Sequence, residues 1–169
     1  MARKSSLREF QAHLAARLSG MDEQRAAGLL GFQSGADRWL VGLPDSGEIV
    51  PLPLLTDVPM TKPWFAGIAN IRGNLYSVTD FSAFRQKEAT PRNASSRLLL
   101  IGTRHGNNAA LLVNRILGLR NVDDLTPTRG DPDAPSWADG AYTDREGQRW
   151  RMLSVRRLFS DEAFMDIGT

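Results

Sequence analysis

Short apolar runs separated by turn residues dominate the chain after Gly28. Each run either alternates apolar with polar positions or is apolar throughout, which is typical of strands rather than of helices. The intervening residues at 34–35, 44–47, 105–108 and 144–147 are rich in Gly, Pro, Asn and Asp, which favour turns. The predicted strands are residues 29–33, 38–43, 66–71, 75–81, 97–102, 109–116, 140–143 and 148–153. Strands at this spacing favour small barrels over a parallel sheet.

The two ends of the chain have helical spacing instead. Near the N-terminus, apolar residues recur at intervals that place them on one helix face: Leu7, Phe10, Leu14 and Leu18. Residues 1–22 are therefore predicted to be an amphipathic helix with a linker, which either covers its own domain or docks on a partner. Val155, Leu158 and Phe159 predict a second, short helix within residues 154–164.

Two polar stretches without periodicity, residues 85–96 and 123–139, are predicted to be surface connections. The first is expected to link two subdomains of one domain that spans residues 26–169. The predicted division gives subdomain 1 residues 28–85 and 148–164, and subdomain 2 residues 95–145.

Composition narrows the possible functions. The 21 basic and 19 acidic residues nearly cancel, so the net charge of +2 provides no strong field toward nucleic acid or anionic lipid. The absence of cysteine excludes disulfides, thiolate metal sites and cysteine nucleophiles. No run of 18 apolar residues is present, so no membrane insertion is expected and a cytoplasmic location is predicted.

Candidate chemistry is sparse. The two histidines, His13 and His105, are predicted to be ordinary surface residues. No metal-binding or phosphate-binding motif is present, so no catalytic residue, metal ligand or cofactor-binding residue is predicted. An enzyme would need Ser, Asp and Arg residues to converge in a groove, which the sequence gives no reason to expect.

Aromatic residues leave two questions open. Trp150 lies between Arg149 and Arg151, which suits either a barrel that stacks single-stranded nucleic acid or a core tryptophan between solvent-facing arginines. Trp64 and Phe65 precede a predicted strand, where they serve either as anchors of a protein interface or as part of the barrel wall.

Residues 67–81, which read GIANIRGNLYSVTDF, place an arginine and a glycine at the bend between two predicted strands. This stretch resembles the signature of the CheW-like chemotaxis adaptors, in which Asn, an apolar residue, Arg and Gly precede a strand that ends in apolar-Asp-apolar. The resemblance extends from about residue 28 to residue 159. The N-terminal helix and the short tail are most similar to PilI-type members, which serve the pathway controlling type IV pili and twitching motility.

The resemblance implies a mainly β, CheW-like fold of two five-stranded SH3-like barrels that share an apolar core. It implies a non-catalytic adaptor between a CheA-type histidine kinase and methyl-accepting chemotaxis receptors, recruited from the cytoplasm to membrane-associated receptor arrays. The receptor groove is expected to involve Glu48, Asn70, Arg72 and Gly73. An ion pair between Glu48 and Arg72 is expected to hold the turn. No nucleic-acid partner is implied.

Overall fold

The chain forms eleven strands and three short α-helices over residues 28–169, the part that this computed structural model describes. The helix predicted within residues 1–22 lies outside the described residues. The strands are β1 Leu29–Ser34, β2 Asp37–Gly42, β3 Ser46–Pro51, β4 Phe65–Ile71, β5 Asn74–Asp80, β6 Arg97–Ile101, β7 Ala109–Val113, β8 Arg115–Arg120, β9 Thr126–Thr128, β10 Ala138–Thr143 and β11 Arg149–Leu153. The helices are α1 Phe81–Phe84, α2 Val155–Phe159 and α3 Glu162–Met165.

The strands build two mixed sheets. Sheet I has six strands in the order β8-β1-β2-β11-β10-β9, and sheet II has five in the order β3-β6-β7-β5-β4. Neighbours are antiparallel except for β2 with β11 and β5 with β7, which run parallel. The predicted mainly β fold is confirmed. Sheet I has one strand more than predicted because β9, only three residues long, adds to its edge.

Three strands were missed or merged in the sequence prediction, each for a local reason. β3 contains Gly47 and Pro51, which depress strand propensity. β9 reads TPT and is too short to show alternation. The predicted run 109–116 is split at Asn114 into β7 and β8, which belong to different sheets.

The strands are divided between the sheets differently from the predicted subdomains. Sheet II takes all of β3 to β7, and sheet I takes β1, β2 and β8 to β11. The chain leaves sheet I through the turn after β2 and returns to it at Asn114. The boundaries predicted at residues 85 and 95 therefore fall inside the part of the chain that builds sheet II.

The main core lies between the sheets. Phe32 and Trp39 of sheet I pack in one cluster with Leu99 and Leu111 of sheet II. The alternate residues on the opposite face of each sheet form smaller clusters, around Trp150 in sheet I and around Leu98, Ala110 and Leu112 in sheet II. Two β units that share an apolar core are thus present, as predicted.

Sheet II curls until its two edges approach each other. Thr56, in the segment of residues 52–64 that follows edge strand β3, pairs with Ile68 of the other edge strand, β4. Both backbone hydrogen bonds between Thr56 and Ile68 measure 2.9 Å. This segment, called the closing segment below, gives sheet II the rolled form expected of a small barrel.

Candidate functional site

The turn between β4 and β5 is a two-residue hairpin formed by Arg72 and Gly73. Ile71 pairs with Asn74 across it, and the φ angles of Arg72 and Gly73 are 54° and 86°. Positive φ at both central residues is the backbone that suits the right-handed twist of a hairpin. Asn70 Oδ1 accepts a hydrogen bond from Gly73 N at 2.9 Å. The motif Asn-Ile-Arg-Gly therefore encodes a rigid hairpin tip.

The guanidinium of Arg72 contacts a carboxylate from the opposite edge of sheet II. Its Nη2 forms an ion pair with Glu48 Oε2, and the two side chains are 69% and 46% exposed. Glu48 reaches this position because a β-bulge between Ser46 and Ile49 inserts one extra residue into β3. The predicted ion pair is confirmed. A pair this exposed contributes about 0.2–1 kcal/mol to stability.

Apolar side chains adjoin this pair in the chain and remain exposed. Ile49 follows Glu48 and is 37% exposed, and Leu75 follows the hairpin and is 61% exposed. We call Glu48, Ile49, Asn70, Arg72 and Leu75 the hairpin surface. In the sequence, Leu75 lies in a predicted strand and Ile49 lies in none, so neither was recognised as an exposed contact residue. The role of Glu48, Asn70, Arg72 and Gly73 in binding a partner remains a prediction.

Gly67 and Asp80, at the two ends of the motif, are structural. Gly67 has φ 131° and lies in a bulge of β4, where an added Cβ would be 2.5 Å from the carbonyl oxygen of Thr56. Asp80 is buried and accepts hydrogen bonds from Thr90 N, Thr90 Oγ1 and Ala83 N at 2.8, 2.6 and 3.2 Å. Gly67 permits the barrel to close, and Asp80 fixes the chain after α1.

The aromatic pair Trp64 and Phe65 is part of the wall rather than an exposed anchor. Phe65 is only 7% exposed, so the interpretation of its side chain as an interface anchor was wrong. Trp64 is half-buried, with its ring 5.0 Å from Phe84 and stacked at 6.5 Å on Phe164. Phe164 comes from α3, so the C-terminal helix covers part of the Trp64 ring.

Trp150 is fully buried, which confirms the core interpretation. The guanidinium groups of Arg38 and Arg120 lie 5.8 and 4.9 Å from its ring centroid, and its Nε1 donates to Asp144 Oδ2 at 2.9 Å. A ring enclosed in this way offers no face to a nucleic-acid base. The nucleic-acid alternative therefore loses the stacking platform on which it depended.

The carboxyl group of Asp144 has a pKa shifted from its ordinary value. Burial alone would raise the pKa of Asp144, but hydrogen bonds from Trp150 and from the backbone N–H groups of Gln148 and Glu146 outweigh it and lower the pKa below its ordinary value of 3.8. His105 Nε2 lies 3.1 Å from Asp45 Oδ1. Within residues 28–169, no group of three or more His, Asp or Glu side chains is placed to hold a metal ion.

The helices that the structure describes include none that is long and apolar enough to cross a membrane.

Comparison with known proteins agrees with this architecture. The sequence pattern of the CheW-like domain matches residues 28–163, which is most of the chain. The chain therefore belongs to the CheW-like domain family.

Two known proteins are similar to it over most of their length. Protein PilI of Pseudomonas aeruginosa is 29% identical over 144 residues, which cover 82% of this chain and 79% of PilI. The crystal structure of the scaffolding protein TtCheW from Thermoanaerobacter tengcongensis superposes with a TM-score of 0.66 at 17% identity. That match covers 81% of this chain and 94% of TtCheW, and it shows that the fold is shared.

Proposed function

We propose that this chain is a non-catalytic scaffold that couples methyl-accepting chemotaxis receptors to a CheA-type histidine kinase. Membership of the CheW-like family supports an adaptor, and TtCheW, which has the same fold, is described as a scaffolding protein. Such a protein needs a stable framework and exposed contact residues rather than catalytic groups with tuned pKa values. Weak contacts suffice where an array multiplies them.

The observation that carries this proposal is the exposed ion pair of Glu48 and Arg72 at the tip of a rigid hairpin. Arginine is enriched in protein interfaces, and adjoining apolar side chains such as Ile49 and Leu75 supply area that a partner can bury. Because the hairpin backbone is already ordered, binding would cost little conformational entropy. We assign the hairpin surface to the receptor.

The pathway is proposed to be the one that controls type IV pili and twitching motility. The support is the 29% identity to PilI over 82% of the chain. In this setting the protein would act in the cytoplasm and be recruited to membrane-associated receptor arrays through its receptor and kinase contacts.

Binding assays with two variants test the assignment of the hairpin surface. Arg72→Ala removes the proposed receptor contact, and Arg145→Ala is its matched control. Arg145 forms a similarly exposed ion pair with Asp124, at 2.9 Å and with exposures of 78% and 48%, away from the hairpin. Titration calorimetry with a receptor cytoplasmic tip should show binding weakened about tenfold or more by Arg72→Ala, equivalent to about 1.4 kcal/mol, and unchanged by Arg145→Ala.

Binding of the kinase regulatory domain is measured in parallel, and circular dichroism reports whether each variant is folded. Unaltered receptor affinity in folded Arg72→Ala would refute the assignment of the hairpin surface. Failure of the wild-type protein to bind either the receptor tip or the kinase domain would refute the coupling function itself.

A further inference from the structure

Sheet I carries a cavity of about 310 Å³ that the hairpin surface does not share. Its walls include Trp39 of β2, Arg151 of β11, Lys87 after α1, and Trp137 in the connection between β9 and β10. A second hollow of about 220 Å³ shares Arg149 and Arg151 with the first. The two hollows therefore adjoin the same two side chains of β11, and together they are called the arginine groove below.

The groove exists because one face of β11 is only partly covered. Leu153, Arg151 and Arg149 alternate onto the same face of the strand, and they are respectively buried, half-buried and exposed. Leu153 belongs to the core shared with sheet II, whereas the end of the face at Arg149 lies beyond that cover. An apolar core thus passes gradually into a basic surface along a single strand.

The charges along the groove are mainly positive. Arg85 is 6% exposed and is held in the wall by Asp37 at 2.7 Å. Lys87, Arg149 and Arg151 form no ion pair with any residue in the described range, and the second hollow adds Arg38.

Three carboxylates offset only part of this charge: Asp37, which pairs with Arg85, lines the second hollow, and Asp131 and Asp133 line the first. Asp131 and Asp133 are exposed and lie in the connection between β9 and β10, where Asp131 Oδ1 accepts the backbone N–H of Asp133 at 3.0 Å. Lys87, Arg149 and Arg151 therefore keep donors that are free to meet an anionic partner.

The wall of the first hollow combines apolar residues with an excess of hydrogen-bond donors. The rings of Trp39 and Trp137 lie 5.7 Å apart, and the guanidinium groups of Arg85 and Arg151 lie 5.2 and 5.9 Å from the Trp39 ring. Trp39 Nε1 and Arg85 Nε are buried without an acceptor among the described residues. Negative charge seated in the hollow would be stabilised by this excess of positive potential.

We propose that the arginine groove binds an extended, carboxylate-rich segment of a partner protein that carries an apolar side chain. The cations are spread over two neighbouring hollows, which suits several carboxylates in sequence better than one compact anion. Arginine guanidinium groups bind carboxylates through paired hydrogen bonds. Trp39 and Trp137 are 1% and 4% exposed, so neither offers a ring face on which a nucleic-acid base could stack. The groove is independent of the receptor contact proposed for the hairpin surface.

Fluorescence anisotropy with the full-length protein tests this inference. The probe is a short fluorescein-labelled peptide with one phenylalanine among glutamates, and its comparison peptide has glutamines in their place. The variant R149Q/R151Q removes two groove cations, and R92Q/R156Q removes two exposed arginines elsewhere. We expect the glutamate peptide to bind wild type and R92Q/R156Q equally and R149Q/R151Q about tenfold or more weakly, because only R149Q/R151Q loses charge-assisted hydrogen bonds to the peptide carboxylates.

Three results would overturn the proposal. The first is equal affinity of the glutamate peptide for the two double variants, both folded by thermal melting. The second is equal affinity of wild type for the glutamine peptide. The third is displacement of the probe by free glutarate at the concentration at which unlabelled glutamate peptide displaces it, which would indicate a site for small organic anions.

Discussion

The ion pair of Glu48 and Arg72 is predicted to matter far less for stability than for binding. Both side chains are about half or more exposed, so water screens their attraction. A double-mutant cycle with Glu48→Ala, Arg72→Ala and the double variant should give a coupling energy of about 0.2–1 kcal/mol. For a chain of 169 residues, that corresponds to a shift in melting temperature of about 4 °C or less.

The backbone of Arg72 provides a second, separable contribution. Its φ of 54° is unfavourable for a side chain with a Cβ, whereas asparagine tolerates this region. Arg72→Asn should therefore be more stable than Arg72→Ala by about 0.5–1 kcal/mol. Both substitutions remove the guanidinium, so the two variants should lose receptor binding equally.

Urea unfolding followed by circular dichroism measures these free energies directly. A coupling energy above about 2 kcal/mol would contradict the reasoning, because it exceeds the range expected of an exposed pair. Such a result would mean that the pair holds sheet II closed rather than being presented to a partner. A stability of Arg72→Asn below that of Arg72→Ala would refute the argument from backbone conformation.

Three further predictions concern Asp80, Gly67 and Asp144, and each is tested by urea unfolding. Asp80→Asn should lower the free energy of unfolding by about 3 kcal/mol because it places an amide group against buried hydrogen-bond donors. Thr90→Val removes only one hydroxyl and should lower it by about 1 kcal/mol. Gly67→Ala should lower the free energy of unfolding by about 2–3 kcal/mol because the added Cβ meets the closing segment. In Gly73→Ala the added Cβ has nothing within 4 Å, so the loss should be about 1 kcal/mol, and equal losses for the two variants would contradict this reasoning. Asp144→Asn removes a carboxylate whose pKa is lower in the folded state than in the unfolded state. The stability that this carboxylate contributes is therefore present above pH 3.8 and is lost as the pH falls through the folded-state pKa. The difference in stability between wild type and Asp144→Asn should therefore shrink on acidification, and a constant difference would contradict that account.

The mainly β architecture could be predicted because strand periodicity and turn composition are local properties. The sheet that each strand joins could not be predicted, since it depends on two brief connections. The turn of residues 43–45 and the single residue Asn114 each transfer the chain between sheets, and neither differs in composition from an ordinary hairpin turn.

The candidate site was predictable where residues act through backbone geometry. Asn70, Arg72 and Gly73 form a hairpin whose turn chemistry is encoded in consecutive residues. The exposure of Ile49 and Leu75, by contrast, depends on how sheet II is rolled, and the burial of Phe65 depends on packing from distant parts of the chain. Sequence patterns report neither of these long-range effects.

The motif of residues 67–81 separates into residues that hold the hairpin and residues that are displayed by it. Gly67 and Asp80 act inside the fold, where the first admits the closing segment and the second satisfies buried donors. Arg72 lies between them at the tip, paired with Glu48 yet largely exposed. Because the supporting residues fix the backbone independently of the ion pair, substitutions at Arg72 can change binding while the fold persists. A scaffold requires this separation, since its contacts must be adjustable without loss of the framework that positions them.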